Sequence, residues 1–383
     1  MATGTTKRIS AASARAHTRR SNPATPSRIS GIVKKVLLVF VVGLLAWGYQ
    51  TALPPPHKTC GSKDGPPITG PRIQLKDGRH LAYREFGVPR ENAKHKIVFI
   101  HGFDSCRHDA LCLTGNLPEE FIQSHGLYIL SFDRPGYGES DPNPKLSIKS
   151  TALDIEELAD QLGLGSKFYI IGFSMGGQVA WTCLKYIPHR LAGIALLAPV
   201  VNYWWPSLPS NLTGEVYKKL LPQDQWALSV AHHMPWLVYW WNTQKLFPPL
   251  SLVALRPELL PKVFSPHDLE VMASRASHRH LFQGHIRQQG EYNSIHRDLA
   301  VHFGTWEFDP MELKNPFPEN EGPKAHLWQG DEDLLVPVIL QRHIVSQLPW
   351  IQYHELTGRG HSFPCFGKMP ENIIQSLITP KSH

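Results

Sequence analysis

Acidic residues are missing from the first 35 positions of this 383-residue chain. That stretch carries eight basic residues (Lys7, Arg8, Arg15, Arg19, Arg20, Arg28, Lys34 and Lys35) and no Asp or Glu. The formal charge of +7 is therefore local, since 31 basic residues face 32 acidic ones in the remainder. A nucleic-acid binder carries its excess charge on the folded domain, so no nucleic acid is expected as a partner. Cysteine is scarce as well. Cys60, Cys106, Cys112, Cys183 and Cys365 form no C-x-x-C pair and no zinc spacing. Small buried hydrophobes, with room for one disulfide, account for them, and the odd count leaves at least one free thiol. No internal repeat is present.

What is present begins with one long apolar run. It is uninterrupted from Val36 to Gly48 and reaches 18 residues at Leu53, inside the ~17–25 residues a spanning helix needs. Lys34-Lys35 before it, Trp47 and Tyr49 near its end and Pro54-Pro55-Pro56 after it fit a membrane anchor. A cleaved signal peptide fits less well, because the basic region is too long and no clean A-x-A site follows. A transit peptide fits the Ser/Arg-rich start but not the apolar block. The expectation is a disordered basic segment over 1–35, an anchor over 36–53 and a Pro/Gly linker over 54–70. The positive-inside rule then keeps residues 1–35 cytosolic and the folded body lumenal in an endomembrane, with a plastid or mitochondrion as the alternative. The sequon Asn211-Leu212-Thr213 would then be open to glycosylation.

From Arg72 the pattern changes. Arg72–Lys76, Asp77-Gly78 and His80–Glu85 predict a β-hairpin. Lys96–Ile100 and Leu127–Phe132 predict buried strands, and Ser147–Leu162 an amphipathic helix. A strand into Ser174, a helix to about Ile187 and a strand over Ala192–Val200 follow. Alternating strands and helices predict an α/β fold, a mostly parallel, doubly wound sheet covered on both faces. Near Trp204 the alternation stops. Residues 204–320 hold seven of the eleven tryptophans and no alternating strands, as an inserted helical subdomain would. Alternation returns at Ala325–Gln329, with a helix from Pro337 to about Leu348, a strand over Gln352–Leu356 and a helix over Met369–Ile378.

The chemistry-bearing stretch is Gly172-Phe173-Ser174-Met175-Gly176. A β-branched and aromatic run enters it and a helix-forming run leaves it, so Gly-x-Ser-x-Gly falls on a strand–turn–helix. The glycines flank the serine because strand and helix come too close for side chains there. By itself the motif is common and is equally a surface turn. Two later loops supply what it needs. Gly330-Asp331-Glu332-Asp333 and Gly358-Arg359-Gly360-His361 leave the same ends of successive parallel strands, where such sheets place ligands. The order is serine, acid, histidine.

With His101-Gly102-Phe103 and the Asp133–Ser140 loop, these motifs resemble the α/β-hydrolase superfamily over roughly residues 71–380. Within it the chain resembles plant-type membrane-anchored serine hydrolases with a helical cap. The resemblance implies an α/β-hydrolase core over 71–203 and 321–383 and a cap over 204–320. It implies Ser174 as nucleophile, His361 as general base and acid, and Asp333 as the acid, with Asp331 as its rival. It also implies the backbone N–H groups of Phe103 and Met175 as oxyanion donors. No cofactor and no metal are implied. The expected activity is cleavage of a small-molecule or lipid carboxylic ester through an acyl-enzyme. Acyl transfer to another acceptor and a ligand receptor on the same fold are the alternatives.

Other features read as structural. Asp133, Arg134 and His101 brace the loops beside the site. His278, His280 and His285 match no zinc spacing. His326 and Asp331 fit an H-x-x-x-x-D pattern, but His326 falls inside a predicted buried strand. The tryptophan-rich insert is either a small core of its own or an apolar lid favouring hydrophobic esters.

Overall fold

A computed structural model describes residues 28–282, 284–318 and 324–379, together with Met1 and Gly4. The chain divides into two compact units, Met1–Ala52 and Leu53–His383.

In the first unit, helix α1 spans Arg28–Ala52. It starts eight residues before the apolar run, because a helix continues until its hydrogen bonds are interrupted and not where hydropathy changes. Its stretch Gly31–Ala52 is long and apolar enough to cross a membrane by length and composition. The disorder expected over 1–35 falls mostly outside the described residues, and 28–35 are helical.

The second unit is built on eight strands: β1 Arg72–Gln74, β2 His80–Gly87, β3 His95–Ile100, β4 Leu127–Phe132, β5 Phe168–Phe173, β6 Leu191–Leu197, β7 Ala325–Gly330 and β8 Gln352–Leu356. Their order is β1-β2-β4-β3-β5-β6-β7-β8. β1 and β2 form the hairpin, β2 pairs antiparallel with β4, and every later pairing is parallel. Gly78, at φ +91°, supplies the turn that a side chain would strain.

The helices of this unit are α2 Leu111–Thr114, α3 Glu119–His125, α4 Ile148–Gln161, α5 Met175–Tyr186, α6 Ser210–Lys219, α7 Pro222–His233, α8 Val238–Thr243, α9 Leu260–Val263, α10 Pro266–Ser274, α11 Arg297–His302, α12 Val338–Gln347 and α13 Met369–Ile378. Ser147 starts α4 with a reciprocal cap, its hydroxyl accepting from Ser150 N–H. Because side chains alternate across a strand, the sheet carries two cores. Val98, Ile100, Ile170 and Leu196 face α4, α5 and α12. Ile97, Phe99, Ile171 and Leu197 face α2 and α13.

Among the described residues, 204–320 contain helices and turns but no strand. Their apolar side chains join Met175 in a third cluster that includes Ala227, Leu228, Val238 and Phe303. Residues 54–70, expected as a linker, lie against the same body. Lys58 N–H donates to Gln289, and Thr69 and Gly70 N–H donate to Glu139.

Candidate active site

After β3 the chain adds β4 on one side and then crosses back to place β5 on the other. A crevice opens at such a reversal, at the carboxyl ends of the strands. The loop His101–Asp104 leaves β3 there, and Ser174 leaves β5.

Ser174 has φ 56° and ψ −120°, a conformation L-residues rarely adopt. It is held by three hydrogen bonds. Its N–H donates to Leu197 at 2.9 Å, and its carbonyl accepts from Gly177 at 2.9 Å and Val200 at 3.0 Å. A Cβ on Gly172 would collide with the Gly176 carbonyl, and one on Gly176 with that of Ile100. The flanking glycines are thus required by strand–helix contact. The serine caps α5, where unpaired N–H groups and the helix dipole favour negative charge.

Asp333 and His361, 28 residues apart, meet across the loops after β7 and β8. His361 Nδ1 lies 2.8 Å from Asp333 Oδ2, with both side chains buried. The carboxylate is fixed on all sides. Oδ2 also accepts from Gln329 Nε2 at 2.9 Å, and Oδ1 from Leu335 and Val336 N–H, each at 2.9 Å. Burial pushes the His361 pKa down, but the charge and hydrogen bond of Asp333 outweigh it and leave the value raised. Asp268 and Asp109 add to the rise. Asp331 turns elsewhere and accepts from Gly358 N–H at 2.7 Å. The ring of Phe173, next to the serine, lies 5.2 Å from the imidazole. Among the described residues no hydrogen bond joins Ser174 to His361; such contacts often tighten only with substrate bound.

The β3 loop presses on the serine. A Cβ on Gly102 would sit 3.0 Å from Ser174 Cβ and 3.4 Å from Oγ. Among the described residues, the N–H groups of Phe103 and Met175 find no protein acceptor. Asp104, at φ 50°, turns the loop.

Side chains of the 204–320 segment reach these loops, three carboxylate contacts among them. Arg287 holds Asp104 by two hydrogen bonds. Asp268 accepts from Ser362 N–H at 2.6 Å, beside His361. Asp298 takes both ends of the Arg134 guanidinium at 2.5 and 2.7 Å, and the hydroxyl of Tyr137 at 2.7 Å. Sequence reasoning missed all three. No spacing signals a contact between residues 94 to 183 positions apart, and helical surfaces are full of such side chains.

The bracing residues behave as expected. Arg134 donates to the carbonyls of His101 and Gly102, while Asp133 takes Arg107 and the N–H of Glu139. Burial, then Arg134, lowers the His101 pKa to about 3, so it is neutral, with Nδ1 toward Gly102 O and Nε2 accepting from Arg134 N–H. The side chains of His278 and His280 lie outside the described residues. Among the described residues no group of three His, Cys, Asp or Glu could hold a metal. His326 is buried within β7 and stacks on His354.

A cavity of about 100 Å³ opens beside Ser174, walled mainly by Phe103, Leu228, Leu250, Leu299 and Phe303. The strained serine turn, the buried Asp–His pair and the unpaired N–H groups thus lie beside one mainly apolar cavity.

Residues 96–367 match the model of the alpha/beta hydrolase fold family. The chain belongs to that family. It is similar to a non-heme chloroperoxidase of Streptomyces lividans, 29% identical over 38% of this chain and 51% of that protein. It is also similar to the human monoacylglycerol lipase ABHD6, 29% identical over 29% of this chain and 32% of the relative. The chain thus spans about half, or less, of these relatives. In fold it resembles an alpha/beta hydrolase fold protein from Chitinophaga pinensis, with TM-score 0.52, 17% identity and 82% and 98% coverage of the two chains. A thermophilic esterase from Thermogutta terrifontis gives TM-score 0.50 at 20% identity, covering 80% and 97%. The chain is thus a member of the alpha/beta hydrolase fold family with partial sequence similarity to a lipase and a chloroperoxidase.

Proposed function

We propose that the protein is a serine hydrolase cleaving carboxylic esters through an acyl-enzyme on Ser174. The observation that carries this reading is the 2.8 Å contact between buried Asp333 and His361 on loops beside the strained serine. With Nδ1 engaged by Asp333, the imidazole offers Nε2 to the hydroxyl. Ser174 Oγ attacks the ester carbonyl carbon while His361 takes its proton. The N–H groups of Phe103 and Met175 stabilise the oxyanion, about 3–4 kcal/mol per donor. The C–O bond to the alcohol breaks, the alcohol leaves with the proton from His361, and water repeats the sequence to release the acid.

In this reading residues 71–203 and 321–383 form the core and 204–320 the cap, supported by the cap's apolar wall on the cavity. Residues 36–53 form the anchor, supported by the apolar helix, and the body is lumenal. A fluorophosphonate probe tests the chemistry. Labelling mapped to Ser174, lost in Ser174→Ala and reduced in His361→Ala, is expected; absence of labelling of the folded protein would overturn it.

A further inference from the structure

The cavity beside Ser174 is not wholly apolar. Asp224 and Ser251 line it as well, among leucines 220, 228, 250 and 252. Asp224 is the third residue of α7, where a carboxylate is favoured by the helix dipole. Ser251 holds it in one orientation, N–H to Oδ1 and Oγ to Oδ2, both at 2.6 Å. These two donors leave each carboxylate oxygen a further lone pair. Burial raises the Asp224 pKa and Ser251 opposes the rise, with no basic side chain among the causes. A carboxylate facing an apolar cavity without a cation loses hydration when an alkyl chain fills the space, and nothing replaces it.

We propose that Asp224 selects substrates whose group bound in this cavity carries a hydrogen-bond donor, a hydroxyl or an ammonium. The inference rests on the hydrolase reading and deepens it. A donor restores what the entering chain strips from Asp224, whereas a plain alkyl chain leaves the carboxylate unpaired and a second carboxylate is repelled. Sites that hydrogen-bond a substrate group discriminate against the analogue lacking it far more sharply than apolar pockets discriminate by size. Size enters too. An apolar cavity of roughly 150 Å³ holds one benzene, so about 100 Å³ suits a short group of about four non-hydrogen atoms.

The test compares phenyl butanoate, 3-hydroxybutanoate and 3-aminobutanoate as substrates of the full chain, with fluorophosphonate labelling of Ser174 in the same preparation. The expected kcat/KM for at least one donor-bearing ester exceeds that for butanoate about tenfold or more. That ratio should fall to about one in Asp224→Leu. Asp224→Asn, which can keep the Ser251 contacts, should lose the preference for the amine and guards against misfolding of the leucine variant. A hydroxyl preference without an amine preference identifies a neutral polyol-like acyl group; the reverse identifies a cationic one. Labelling of Ser174 with equal rates on all three esters, with turnover of none, or with a preference that survives in both variants overturns the role of Asp224 alone. Absence of labelling overturns the hydrolase reading, and this inference with it.

Discussion

Arg287 grips both carboxylate oxygens of Asp104, with Nε 2.7 Å from Oδ1 and Nη2 2.6 Å from Oδ2. The pair joins residues 183 positions apart and ends on the residue after Phe103. It ties the orientation of the proposed oxyanion donor to a side chain from the helical segment.

Arg287→Ala should therefore slow fluorophosphonate labelling of Ser174 by about ten- to a hundredfold, the usual cost of a small misplacement in a catalytic site. Arg287→Lys should recover only part of the rate, because an ammonium lacks the planar fork. Equal rates in all three proteins would show that Asp104 positions itself.

The raised pKa of His361 sets the pH dependence. Only neutral imidazole accepts the serine proton, so the labelling rate should climb with pH through a midpoint above 6.5. Asp333→Asn should move that midpoint down and cost about 10⁴-fold in rate. Asp331→Asn should leave both near wild type, since its carboxylate serves Gly358. The Asp333–His361 interaction stabilises the fold below the unfolded-state pKa of His361 and loses that contribution as pH rises past the folded value.

Asp298→Ala should be costly. It leaves the Arg134 guanidinium buried without its carboxylate, an expected loss of about 3–5 kcal/mol measurable by denaturant unfolding. Burial alone would raise the Asp298 pKa, but Arg134 and then His302 drive it far below the usual carboxylate range. Its stabilisation is thus present above the ordinary carboxyl pKa near 3.8 and fades as pH falls.

Cys112 and Cys365 are joined by a disulfide that closes a loop of 253 residues beside the His361 turn. Structural disulfides persist in oxidising compartments, which supports the lumenal body proposed above. The paired Cys112→Ser and Cys365→Ser variant should lose about 2–5 kcal/mol of stability. Asn211, exposed in the first turn of α6, should carry an endoglycosidase-sensitive glycan that Asn211→Gln removes. An unshifted mass for the membrane-inserted protein would contradict this topology.

Much of the fold was legible because its signals are local. The strands Leu127–Phe132 and Gln352–Leu356 and the helix Met369–Ile378 have the bounds their periodicity predicts. The Ser174 elbow is likewise local, a matter of glycines at two fixed offsets. Boundaries lacking such a signal moved. Helix α1 starts at Arg28, ahead of the anchor expected from Val36, and residues 54–70 read as a Pro/Gly linker although Glu139 and Gln289 hold them.

The sequence by itself determined the order of strands and helices and the presence of Ser174, Asp333 and His361 on loops of a parallel sheet. Periodicity and turn chemistry act over a few residues and survive as pattern. The tertiary structure decided which carboxylate faces His361, which helical side chains grip the loop after β3, and that Asp224 lines the cavity. Those are facts of distance between residues far apart in the chain, where many aspartates look alike until packing brings one of them within 3 Å.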